Sequence, residues 1–589
     1  MPRSGFAGIG GAIVVALVVG CAGGAGAPKK RMDAGGGPAT GFPTPKELEK
    51  LADEPILGRV FDTDARDVES WELEGPFPER VDERRFDDGS SWSALLADAV
   101  EQRAGLAVPT EAMYCVAHEL GRFYLVMGGF PSQNLKRYIT ARCQAGVAGV
   151  GLRYLQAEID PGVSDAELFA QWRESFETLI ADELVGGPVT AGVWFGRSEN
   201  HVIALVVSGT RAVRLEPVET VLGEDHRVVI RGESLRPVEE VGALMNHGRY
   251  GTTRCEREPA VELPRFHFVC EANPNDASAW LVLDVRPAGR FLARSAANLL
   301  IWPSGETDNV YRRPSFMDAD PVENEDVAVQ GFVEMLNSVR GSAELPELTL
   351  DMAQSETATE LAPYFFSSWF DDSTGAVADI VALGMMAGWD VDGIVQEGRM
   401  SGSWVPQSDD LAVLLATALE YPSSRAVLLS PNADRIAIGP LLERYEEHAA
   451  IAAMFGTYSL FSEEDHDANV QRVFRKLREA RQERGRRAPQ HLVDVAQLSI
   501  LAASDVQTGA DPEDSLGDLL QASSEILQRP VQGWVTQVSD LDSLEFPEDF
   551  LTDSEIGVAI GVSYFKPEDE AWGHYVVMMV VASPRRHRV

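Results

Sequence analysis

The stretch Leu419–Gly439 reads LEYPSSRAVLLSPNADRIAIG. Its second half holds the apolar pair Leu428-Leu429, the breaker Pro431 and the run Ile436-Ala437-Ile438-Gly439. An apolar run entered from a turn is the pattern of a buried core strand. Val558-Ala559-Ile560-Gly561 echoes that run. The first half differs in kind, because Tyr421 to Arg425 contains no histidine, cysteine or carboxylate.

The flanking residues build a unit over 325–461. Val327 to Arg340 is amphipathic, with Phe332, Met335, Leu336 and Val339 as its apolar stripe. Asn337 and Arg340 form an N-x-x-R pair, followed by Leu345-Pro346-Glu347-Leu348-Thr349-Leu350-Asp351. Ala358, Leu361 and Ala362 lie on a further helix, Val395-Gln396-Glu397-Gly398 opens a strand, and Ala449 to Phe461 closes the unit. Together with Pro422, Arg425, Leu428, Leu429 and Pro431, these residues resemble the CAP superfamily (cysteine-rich secretory, antigen 5, pathogenesis-related 1; also called SCP-like).

The resemblance implies an α-β-α sandwich with a central groove, where two histidines and two glutamates bind a divalent metal; some members bind sterols or fatty acids. Here Leu361 and Ser424 hold the two histidine slots, Tyr421 the serine slot and Ala418 the tryptophan slot. Glu397 alone stands for the carboxylates, and one carboxylate does not make a metal site. The groove expected from Leu361, Glu397, Ser424 and Arg425 is therefore degenerate, with no catalytic residue, no metal and no cofactor.

The same order of elements recurs in 465–582, where a helix over Val470 to Arg481 precedes Val558–Gly561 and a closing strand over Trp572 to Val581. It also recurs in 92–209, where helices precede a hairpin made of Ala191–Gly196 and His201–Ser208. Between them, 210–304 carries short alternating runs separated by turns, the pattern of a small immunoglobulin-like β-sandwich, and 305–324 reads as a linker. The fold class expected is thus α/β multidomain, with CAP-like α-β-α units plus one small all-β sandwich.

The N-terminus is an address. An apolar, Gly-rich run from Phe6 to Gly20 ends Val18-Val19-Gly20-Cys21, the length of a leader's core and short of a spanning helix. It resembles a bacterial lipobox, which implies that 1–20 is a signal peptide, that the Cys21 thiol is lipidated, and that Ala22 directs sorting to the outer membrane. A plain secretory leader cut elsewhere is the alternative. Residues 21–91 then form the lipidated cysteine, a Gly/Ala/Pro tether and an acidic segment. Export favours disulfides. The four remaining cysteines allow three connectivities, of which Cys115–Cys143 and Cys255–Cys270 keep each bridge within one region.

The formal net charge of −40 argues against nucleic acid as a partner, since phosphate contacts need clustered Lys and Arg. It disfavours broad contact with anionic lipid as well. His118-Glu119 begins a zinc-protease pattern, but Arg122 replaces the second histidine. Gly-x-Ser-x-Gly and phosphate-loop motifs are absent, and the doublets Asp371-Asp372 and Asp409-Asp410 lack the spaced oxygens of a calcium loop. The expectation is a membrane-anchored, non-catalytic protein that binds a lipid or a protein at the cell surface or the periplasmic face. Lipid or sterol carriage is one alternative; a hydrolase with its site outside 325–461, around His118 and Glu119, is another. Fatty-acid labelling checks the anchor: label should enter the parent chain and be lost, with membrane association, in Cys21→Ser.

Overall fold

The computed structural model describes residues 16–17, 45–51, 65–103, 106–160, 162–185, 187–314, 322–369, 375–406, 408–445, 448–461, 466–566 and 572–583. Cys21, its lipobox and Asp371-Asp372 lie outside the described residues. The described chain is mixed α/β, with fourteen α-helices and several small sheets. It falls into two compact units: 16–17, 45–385 and 399–457 make the first, and 386–398 with 458–583 make the second. No helix among the described residues is long and apolar enough to cross a membrane.

One topology occurs three times. In the first copy the short strand Ala107–Pro109 runs parallel to Val189–Arg197, which pairs antiparallel with His201–Thr210, and that strand pairs antiparallel with Gly151–Glu158. The middle copy has the order Thr349–Leu350, Arg435–Tyr445, His448–Leu460, Val395–Val405, again with a parallel first pair. Ala16–Leu17 adds a two-residue strand at its edge, against Met400 and Ser401. The last copy has Gln490–His491, Gly557–Phe565, His574–Ala582 and Gln532–Val538. In every copy a helix follows the short strand at once: Glu111–Met127, Met352–Trp369 and Val493–Gln507.

The hydrogen bonds coincide as well. The first residue after each short strand donates its N–H to the first hairpin strand: Thr110 to Ala191 at 3.2 Å, Asp351 to Ile436 at 2.8 Å and Leu492 to Val558 at 2.8 Å. Three residues beyond the acceptor, Gly439 and Gly561 let strand and helix touch. A Cβ built on Gly439 would lie 2.3 Å from the Ala358 carbonyl oxygen, and one on Gly561 would lie 1.8 Å from that of Ser499. The first copy has Trp194 at that position, seated over Gly121, and its close approach moves to Gly192 against the Met113 backbone.

Between the first two copies, two antiparallel four-stranded sheets face each other. Arg227–Ser234 and Arg265–Glu271 alternate exposed and buried side chains. They contribute Val228, Ile230, Phe266 and Phe268 to a core shared with Val241, Leu281 and Leu299 of the other sheet. Alternation of this kind is what a sheet with one wet face requires. Both expected disulfides are present, Cys115–Cys143 and Cys255–Cys270.

Two stretches without periodicity take ordered places. Within the segment read as a linker, Val310–Arg312 pairs with Ser70–Glu72 of the acidic N-terminal segment. Tyr311 and Leu73 are buried in the first copy's core. Strands of three residues have no room for a repeating pattern, so their partners lie far off in sequence.

The glycine contacts set a test. Gly439→Ala and Gly561→Ala place a methyl against helix backbone that cannot yield, and each should cost about 3 kcal/mol. Gly517→Ala, on an exposed helix with open space around it, should gain about 0.5–1 kcal/mol. Denaturant titration of the three variants checks both signs.

Candidate functional site

Two helices carry the motif stretch. Asp410 caps Leu411–Glu420 by accepting from the N–H groups of Ala412 and Val413, and Asp409 pairs with Arg444 at 3.1 Å. That doublet is a cap and an ion pair. Tyr421 is held extended before Pro422, as a residue preceding proline should be. Pro422 then starts the helix Pro422–Leu428 at a position whose N–H has no partner to lose.

Ser424, in the histidine slot, is fully buried, and its hydroxyl meets that of Ser401 at 2.9 Å. Leu361, in the other slot, is fully buried too. Counting from the residue that donates to the hairpin, Leu361 stands ten places on, as do Leu120 and Ala502, both buried; His118 stands eight on. Glu397 is half-buried on the strand Val395–Val405 and belongs with the second compact unit. A leucine side chain and a hydroxyl already spent on another hydroxyl supply no ligands for a metal ion. Among the described residues no three His, Cys, Asp or Glu side chains converge.

What the stretch does touch is the rest of the first unit. Ser423 Oγ donates to Asp284 Oδ2 at 3.2 Å. Asn246 Nδ2 donates to the Glu420 carbonyl at 2.7 Å, and Arg425 Nη1 donates to that of Gly251 at 3.3 Å. From the first copy, Asn134 Nδ2 donates to Thr417 Oγ1 at 2.9 Å, and Arg137 forms an ion pair with Glu420. The Arg137 guanidinium also lies 3.5 Å from the Tyr421 ring centre and 4.9 Å from that of Trp280. None of these partners was legible, because they stand 139 to 283 residues from the stretch.

His118 and Glu119 are engaged elsewhere. Glu119 is fully buried and accepts from the N–H groups of Glu74 (2.9 Å) and Gly75 (2.7 Å) and from Arg122 Nη2 (2.9 Å). Burial alone would raise its carboxyl; the His118 ring, 3.5 Å away, and hydrogen bonds from Arg122 and Gly75 outweigh that and hold it below the usual range. Its oxygens pin the Glu74–Gly75 backbone to the helix. A pocket of about 520 Å³ opens beside Tyr124, Met127, Glu158 and His201, and neither His118 nor Glu119 lines it.

The molecule is thus a mixed α/β protein whose motif stretch is an internal joint. No family model matches the chain, and no curated protein does. Solved structures do. A cysteine-rich secretory protein from Staphylococcus aureus subsp. aureus Mu50 is 13% identical, with 42% of this chain and 88% of that one covered and a TM-score of 0.17. An extracellular protein containing a SCP domain from Bacillus anthracis str. Ames is 10% identical, with the same coverages and a TM-score of 0.16. At TM-scores of this size neither likeness fixes the fold or the family.

Asp284 makes the joint sensitive to pH. Its Oδ1 has no partner, and burial raises the carboxyl to about 7 although the Ser423 and Ser295 hydroxyls lower it in part. The folded state therefore holds the proton more tightly than the unfolded one. Stability from this group is intact below the unfolded value of 3.8 and is lost as pH rises towards 7, by at most about 4 kcal/mol. In Asp284→Asn that part of the slope should vanish. Denaturation midpoints followed from pH 4 to pH 8 would show it, and parallel profiles would refute it.

Proposed function

We propose that the chain is an exported lipoprotein, anchored to the outer membrane through Cys21. In this reading, degenerate CAP-like units and an immunoglobulin-like β-sandwich serve as a non-catalytic binding scaffold. The observation that carries it is the state of Ser424: buried, bonded to Ser401, and flanked by Ser423 and Arg425, which are tied to the facing sheet. A groove built that way spends its side chains on holding the fold together.

Other features support the same reading. Three copies of one α/β topology suit repeated CAP-like units, and two disulfides suit an oxidising compartment. The N-x-x-R pair has a structural use that needs no ligand. Asn337 Nδ2 donates to the Leu348 carbonyl at 3.0 Å and its Oδ1 accepts from the Leu348 N–H at 2.8 Å, while Arg340 donates to the Pro346 carbonyl at 2.8 Å. Calorimetric titration with Zn²⁺ and Ca²⁺ tests the non-catalytic reading. No stoichiometric heat is expected; stoichiometric binding that disappears in Glu397→Ala would overturn it.

A further inference from the structure

The chain carries 91 acidic and 51 basic side chains, yet eight of the bases fall in the sixteen residues 472–487 beside only two acids. Most of these bases are occupied. Arg481 is buried against backbone carbonyls. Arg472 pairs with Asp540 and Asp542, and Lys476 reaches the Asp542 carbonyl. Arg484 pairs with Glu548, and Arg487 with Glu555.

Arg475, Arg478 and Arg486 remain, with no carboxylate within ion-pair distance among the described residues; Asp542 feels Arg475 at longer range. Arg475 and Arg486 are exposed and Arg478 is half-buried. Arg478 stands three residues before the buried Arg481, the place that Asn337 holds before Arg340 in the middle copy. Asn337 bonds to its loop and Arg478 does not.

The helix His466–Glu483 sorts these charges by face. At 3.6 residues per turn, Gln471, Arg475, Arg478 and Gln482 share one stripe, and the exposed Arg486 follows just past the helix end. Of the helix acids, Asp467 lies on the same stripe one turn before Gln471, Glu479 stands at its edge one turn on from Arg475, and Glu483 falls on the other side with Arg472 and Lys476. Beside the stripe, Phe474 stacks on the exposed His491 with ring centres 3.8 Å apart. From Gln471 onward the result is a stripe of guanidinium and amide groups with an aromatic flank, bordered by Glu479.

We propose that this stripe of the last copy is a docking surface for the phosphate headgroups of an anionic phospholipid membrane. Guanidinium forks match phosphate oxygens in pairs. A body of net charge −40 is repelled by an anionic surface at a distance, but screening confines that repulsion to about 8–10 Å, so a local patch can touch where a broad face cannot. An acidic protein, or a second copy of this chain, would meet the same repulsion over a larger area. The choice of a membrane rests on the lipid-anchored reading, because acyl chains at Cys21 would hold the stripe at high effective concentration beside phosphates.

The test uses the full chain as Cys21→Ser, sedimented with vesicles of phosphatidylglycerol and phosphatidylcholine and, separately, of phosphatidylcholine alone. The leader is present in every variant and cancels in the ratio of the two affinities. That ratio should favour anionic vesicles and fall about a hundredfold in R475Q/R478Q/R486Q, while R173Q/R214Q/R265Q, with the same change in net charge, retains it. Q471E/Q482E, which puts acid on the same stripe, should give a similar loss if the triple variant folds poorly. Equal binding to both vesicles, or an equal loss in both triple variants, overturns the proposal, as does a triple variant that alters self-association and leaves vesicle binding intact. Fatty-acid labelling at Cys21 reads the anchor separately, so a failed anchor and a failed stripe are distinguishable.

Discussion

Arg137 is the cation on which the first compact unit closes. It is 4% exposed, clamped between the rings of Trp280 and Tyr421 and paired with Glu420. Taking a guanidinium out of water costs several kcal/mol unless partners are supplied. Its Nε finds no hydrogen-bond acceptor, so the two ring faces must offset part of that cost, at about 1–2 kcal/mol for a desolvated pair. Arg137 and its partners come from three places in the chain: a helix of the first copy holds Arg137, a strand of the β-sheet pair brings Trp280, and the junction of the two motif helices brings Glu420 and Tyr421. A contact that needs all three in register links their folding.

That linkage explains why the motif stretch is buried. In a free-standing groove, the residues after Glu420 would line a surface open to ligand. Here Asn246, Gly251 and Asp284 accept or donate along Glu420 to Arg425, and the sheet that provides them occupies the space. The serine pair Ser401–Ser424 is a buried contact in which one hydroxyl donates to the other. Burial of hydroxyls without such pairing would cost a few kcal/mol.

The elements legible in the sequence were those with local cause. The stripe Phe332, Leu336, Val339 lies on one face of a real helix, the two apolar runs of the hairpin Val189–Thr210 fold back around a polar turn, and the two disulfides join cysteines 28 and 15 residues apart. The short parallel strands were not legible. Gln490–His491 is two exposed polar residues held by backbone pairing to Gly557–Val558, with the stacking of His491 on Phe474 as a side-chain contact that sequence does not announce. Nor was the joint. Arg137 sits in a run, Leu135 to Tyr138, that reads as an ordinary amphipathic turn, and only the arrival of Trp280 and Tyr421 from far along the chain makes it a buried cation. His118-Glu119 misled for the opposite reason: a local motif suggested chemistry, while two backbone donors brought from elsewhere and Arg122 one turn on had already filled the carboxylate.

The residues that carry the CAP resemblance prove to be those this fold needs whether or not anything binds. Arg340 donates to the carbonyls of Pro346, Leu428 and Ser430; Arg481 in the last copy donates to those of Arg487, Phe550 and Asp553. In both, one acceptor lies six residues on, in the loop that leads to the short parallel strand. The others lie in the connection that delivers the first hairpin strand. A buried guanidinium with three carbonyl acceptors ties these pieces together, and leaving it unpaired would cost several kcal/mol. Gly439 and Gly561 act at the other end of the same connection, where strand and helix backbones touch. Ser424 is buried on a different footing, its hydroxyl meeting that of Ser401. A frame held by backbone carbonyls and close approaches therefore needs no histidine at 361 or 424, because Arg340, Arg481, Gly439 and Gly561 act on backbone atoms.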